Sequence, residues 1–132
     1  MPPMTMVHET DPKDVLLNRL KGLLPQGTCM NNQVLVAIYD RPEKTAKGLI
    51  LTKQYRDEEK FQGKCCLIVM VGETAFVPDE DKKWFVTNRP ALYDWVVMRP
   101  SSGMPMAFGG VECRLINDTA VLMRVDHPDL VW

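Results

Sequence analysis

Two kinds of hydrophobic patterning meet near residue 30. Before it, Leu16, Leu20, Leu23 and Leu24 fall at i, i+4, i+7 and i+8 and make one apolar stripe on a helix. Asp11-Pro12-Lys13-Asp14 reads as the start of that helix. Asp11 is the N-cap, Pro12 opens the first turn and Asp14 lies at the positive end of the dipole. Gly22 weakens the last turn and Leu24-Pro25-Gln26-Gly27 ends it, so the pattern predicts a helix near 12–23. An amphipathic helix this short needs a surface to lie on, its own domain's or a neighbour's.

After residue 30 the pattern turns to β. Gln33–Tyr39 is rich in β-branched and aromatic residues and stops at Asp40-Arg41-Pro42. Lys64–Val71 is apolar on both faces, as a strand inside a barrel or sandwich must be. Asp94–Arg99 is a third strand. Val111–Ile116 and Thr119–Val125 flank Asn117-Asp118, which tolerate positive φ, and predict a hairpin there. Val34, Val36, Leu67, Val69, Val96, Leu115, Val121 and Met123 form the expected core. Five short strands without a second helix predict a mainly β fold, a small β-barrel or sandwich over residues 30–132 with residues 1–29 as an N-terminal extension. Two connections, Arg41–Gly63 and Gly72–Tyr93, exceed the roughly 12–15 residues of ordinary loops.

Composition narrows the function classes. The 132 residues make one domain, 45% apolar and 25% charged, as in ordinary globular proteins. Sixteen basic against seventeen acidic residues leave no excess to neutralise phosphates, so nucleic acid is not an expected partner. The apolar run Cys65–Val71 is far short of the ~20 residues a bilayer requires, so no membrane contact is expected either. The first residues lack a basic stretch followed by an apolar core, which predicts a cytoplasmic protein. Cys29, Cys65, Cys66 and Cys113 have no C-x-x-C spacing and read as buried free thiols. Cys65 and Cys66 are adjacent in a strand and should face opposite ways.

Catalytic patterns are missing. Gly109-Gly110 stands alone, and Lys47-Gly48 runs into aliphatics where a phosphate loop has Ser or Thr. Asp79-Glu80-Asp81 lacks the glycine and distal Glu of a calcium loop. No acid–base pair or activated nucleophile assembles, and neither metal nor cofactor is implied. The reading is a non-enzyme.

The first long loop carries the odd feature. Polar Glu43–Lys47 leads to Gly48-Leu49-Ile50-Leu51-Thr52 and then to charges from Lys53 to Lys60. Three consecutive large aliphatics in a polar loop are either a short half-buried strand or an apolar plug that orders on a partner.

Val34-Leu35-Val36, the polar stretch and Lys47-Gly48-Leu49-Ile50-Leu51-Thr52 resemble the first strand and mobile loop of GroES-like co-chaperonins. Gly63 and Val71-Gly72 bracket a strand similar to the family's next one. Tyr93-Asp94-Trp95-Val96-Val97 resembles its glycine-aspartate strand, and Glu112–Met123 its late hairpin, with Phe108-Gly109 where Tyr-Gly is frequent. The resemblance covers residues 30–132. It implies a GroES-like barrel and a ring, most often a heptamer, that caps a GroEL-like chaperonin. Gly48, Leu49, Ile50 and Leu51 would bind the partner, while Trp84, Phe85 and Phe108 would face the cavity or roof. The departures are the N-terminal extension, Tyr93 at a glycine position, and Trp84-Phe85-Val86 in the roof hairpin. Divergence of this kind is similar to that of phage-encoded members. The alternative is a phage virion structural protein on the same fold, its loop docking on capsid or connector proteins.

Overall fold

A computed structural model describes residues 11–22, 27–39, 65–78, 85, 88–108 and 110–130. Helix α1, Pro12–Leu20, begins as its sequence dictates: Asp11 Oδ1 accepts the Lys13 N–H at 2.9 Å. Gly22, at φ +85°, turns the chain away directly after it. Leu23 and Leu24, expected on the same stripe, lie outside the described residues. Leu16 and Leu20 are buried among side chains of the sheet, so α1 packs on the sheet, against its fifth strand.

Six strands form one antiparallel sheet. They are β1 Gln33–Ile38, β2 Cys65–Val71, β3 Trp95–Val97, β4 Met104–Phe108, β5 Val111–Asn117 and β6 Met123–Val125, in the order β4-β5-β1-β2-β3-β6. The fold is therefore mainly β, as expected, but the expected barrel is not closed. Among the described residues β4 and β6 are the two edges of an open sheet.

Both faces of the sheet are apolar because successive side chains of its central strands alternate between two cores. On one face Leu35, Ala37, Leu67, Val69, Trp95 and Cys113 pack with α1. On the other, Val34, Val36, Ile38, Ile68, Val96 and Ile116 pack with Ala75 and Phe76. Cys65 and Cys66 fall on opposite faces, as their adjacency required.

Three expectations change. β4 was not anticipated: its sequence, Met-Pro-Met-Ala-Phe, has a proline and little β-branching. It makes a two-residue hairpin with β5, Phe108 opposite Val111, and Gly110 supplies the positive φ of +80°. The hairpin expected at Asn117-Asp118 does not form. Asn117 stays extended (φ −75°, ψ 150°), a single 3-10 turn spans Asp118–Ala120, and β6 crosses to pair with β3. The Asp118 side chain is held elsewhere, as described below, and cannot serve a tight turn. The third change concerns the core. Val34, Val36, Leu67, Val69 and Val96 are buried, Leu115 and Val121 half-buried, but Met123 is 61% exposed, on a strand with no outer neighbour among the described residues.

Candidate functional site: two loops at opposite ends of one strand

β1 and β2 pair with Ile38 opposite Cys66, and the Tyr39 N–H donates to the Cys65 carbonyl at 3.1 Å. Tyr39, after β1, and Cys65, the first residue of β2, are therefore joined by a hydrogen bond. The connection that begins at Gly72 leaves from the other end of β2. Gly48, Leu49, Ile50 and Leu51 lie outside the described residues, as do Trp84 and Asp79-Glu80-Asp81.

The far end of β2 is fastened by a polar latch. Asp118 is 6% exposed; its Oδ2 accepts the Phe76 N–H at 3.1 Å and its Oδ1 accepts Asn32 Nδ2 at 3.3 Å. The Asp118 N–H returns a bond to the Asn32 carbonyl at 3.1 Å. One carboxylate thus joins the turn before β1, the turn after β2 and the exit of β5. Gly72 completes the junction: a Cβ there would lie 2.3 Å from the Asn31 carbonyl oxygen, so only glycine fits.

Beyond the latch, Phe76 meets Phe85 edge-on, ring centres 5.2 Å apart at 79°. Both hold left-handed backbones, φ 59° and 57°. Phe85 is half-buried against the Val34–Ile116 core, and Arg89 Nε donates to its carbonyl at 2.7 Å. The second loop is closed at its base by this aromatic pair.

Phe108 lies apart from Phe85, on the α1 face, where it lines an open apolar cavity of ≈ 260 Å³ with Cys29, Met30, Met70, Met106 and Leu115. Sequence reasoning missed this cavity because its walls come from β4, which was not expected, and from the segment before β1. The methionine content was the available signal.

The thiols are chemically quiet. Burial pushes Cys66 and Cys29 upward, and burial with the neighbouring Glu112 carboxylate pushes Cys113 up to about 11. Among the described residues no three His, Cys, Asp or Glu side chains group as metal ligands, and no helix is long and apolar enough to cross a membrane.

The described residues define a small, mainly β protein built on one open antiparallel sheet. The family model "Chaperonin 10 Kd subunit" matches residues 27–125, and the chain belongs to that family of GroES-like co-chaperonins. No individually curated protein matches the chain. The match begins after α1, so the helix is an addition to the family's fold. Family members are non-enzymatic partners of GroEL-like chaperonins and work as ring oligomers.

Proposed function

We propose that this chain forms a ring, a heptamer, that caps a GroEL-like chaperonin in the cytoplasm and assists protein folding. Gly48-Leu49-Ile50-Leu51 enters an apolar groove of the chaperonin. Trp84 and Phe85 belong to the roof side. What supports this reading is the family match, combined with a loop whose two ends are hydrogen-bonded to each other at Tyr39 and Cys65. A loop so anchored orders on a partner without disturbing the sheet.

The energetics favour a ring. Burying three aliphatics gives roughly 5–9 kcal/mol per loop. Ordering the loop, at about 1–2 kcal/mol per residue, offsets most or all of that gain. A single loop then binds weakly, and several loops on one ring bind through effective concentration.

The test replaces Leu49, Ile50 and Leu51 together with Ser. Capture of a GroEL-like chaperonin in the presence of nucleotide should be lost, with the thermal midpoint unchanged. Collapse of the fold would mean the three residues are core. A parent that captures no chaperonin would move the loop to a capsid or connector neighbour, in a phage-encoded virion protein.

A further inference from the structure

We propose that the cavity beside β4 is a binding site for the soft monovalent cation Cu(I), held by the thiolate of Cys29 and the thioethers of Met30, Met70 and Met106. The site is separate from both long loops, and it stands or falls independently of the co-chaperonin reading.

The four sulfur-bearing residues come from three separate parts of the chain. Cys29 and Met30 precede β1, Met70 lies in β2 and Met106 in β4, and all four line one cavity of ≈ 260 Å³. Cys29, Met70 and Met106 pack in the same core, on the α1 face of the sheet. Among the described residues that line the cavity there is no carboxylate, imidazole or ammonium. The amide of Gln33 is already engaged, its Nε2 donating to Asn117 Oδ1 at 2.6 Å and to Asn32 Oδ1 at 3.3 Å. Sulfur is the donor that remains.

This donor set selects by softness. Thioethers and thiolates suit Cu(I), whereas calcium and magnesium need oxygen ligands and structural zinc needs several thiolates or imidazoles. The unbranched, flexible methionine side chains let sulfurs from different strands adjust to one cation.

Charge balance fits as well. A bare cation in apolar surroundings is costly. When Cu(I) enters and the Cys29 thiol releases its proton to water, the site stays neutral. One S–H bond breaks, one Cu–S bond forms, and no electron moves. Cys29 is 7% exposed, and burial keeps its thiol protonated until a cation takes the proton's place. The backbone N–H of Leu35, another wall residue, works the other way and favours the thiolate. Met30, 66% exposed, joins this buried sulfur to solvent.

The experiment uses the full chain without oxygen, with Cu(I) supplied as its bicinchoninate complex. Methionine methyl resonances are followed in parallel with Ag(I), a redox-inert cation of the same charge and softness. The chain should withdraw one Cu(I) from bicinchoninate. Ag(I) should shift Met30, Met70 and Met106, while Met98, buried on the other face, and Met123, exposed on β6, stay in place. Met30→Leu, Met70→Leu and Met106→Leu conserve volume and charge, and circular dichroism checks each fold. Together they should lower the affinity at least by the roughly 10–100-fold that loss of an outer-shell partner costs. A smaller loss should appear in each single variant, so the test survives misfolding of the triple one. Near neutral pH the affinity should rise about tenfold per pH unit, since one proton leaves Cys29 for each Cu(I), and Cys29→Ser should remove that slope. No Cu(I) taken from bicinchoninate overturns the inference. So does an affinity unchanged in the variants, or a set of shifts confined to Met4, Met6 or Met123.

Discussion

The centre and the edges of this sheet are built from similar apolar residues and end in opposite circumstances. In β1 and β2, Val34, Val36, Leu67 and Ile68 have no exposed surface at all. At the edges, Met104 of β4 and Met123 of β6 keep more than half of theirs. Hydrophobicity alone does not decide burial; a strand is buried when it has neighbours on both sides and cover on both faces. The centre therefore stabilises a single copy, whereas the edges hold apolar surface left exposed on Met104 and Met123.

Truncation should separate the two regions most sharply. Ile68→Ala removes a fully buried side chain and should cost about 2–5 kcal/mol in urea unfolding. Met123→Ala, measured on a monomeric sample, should stay within about 0.5 kcal/mol. Equal costs would erase the distinction between centre and edge.

The latch marks the boundary of the centre. Asp118→Ala leaves the buried Phe76 N–H without its acceptor and Asn32 without its carboxylate, and should cost about 2–3 kcal/mol. Hydrogen exchange should speed up at Phe76 while β1–β2 amides at Val36 and Ile68 keep their protection. Loss of protection in both places would show that the latch and the central strands open as one unit.

Alkaline pH should weaken the centre before it touches the edges. Cys113 is raised from 9.0 to about 11 in the folded chain, and Cys66 is shifted in the same direction. Below pH 9 these thiols stay protonated both folded and unfolded, so they add no pH dependence. Between about 9 and 11 the unfolded chain ionises while the folded chain does not. Stability then falls as pH rises, by at most about 1.4 kcal/mol per unit for each thiol. A urea midpoint that is flat to pH 8.5 and then drops is the expected result, and Cys113→Ala should flatten part of the drop. A midpoint that rises above pH 9 would contradict the burial of these groups.

The central strands, the Asp11 cap and the opposed cysteines were legible in the sequence because each depends on local periodicity or on one residue's chemistry. β4 was not, since Met104–Phe108 becomes a strand by pairing with β5, a tertiary effect that local propensity does not carry. The misplaced hairpin has a similar cause. Asn117-Asp118 suits a turn, but Asp118 is claimed by Phe76 and Asn32, from segments distant in the chain. Of the candidate site, the loop and its aliphatics could be read from composition. The point where its two ends meet, and the cavity beside β4, required the topology.

The smallest predicted effect concerns Tyr93, at the entry to β3. Its φ is +70°, the left-handed region that a side chain makes costly by roughly 1–2 kcal/mol. Three contacts hold it there: the Tyr93 N–H donates to the Ile68 carbonyl at 2.8 Å, the Asp94 N–H to the Ala91 carbonyl at 3.1 Å, and the Ala91 N–H to Asp94 Oδ2 at 2.9 Å. These are backbone and Asp94 contacts that a substitution at 93 leaves in place. The residue is 40% exposed, and the burial its side chain gives up counts against the strain relieved. Tyr93→Gly relieves the strain, and glycine's extra freedom in the unfolded chain offsets about 0.5–1 kcal/mol of the gain. The net expectation is a rise in stability of up to about 1 kcal/mol, read from the urea midpoint. Tyr93→Val should lower it, since a β-branched residue suits this backbone worse than tyrosine does. If glycine destabilises instead, the tyrosine ring stabilises the fold, and the turn before β3 belongs with the centre of the sheet rather than with its periphery.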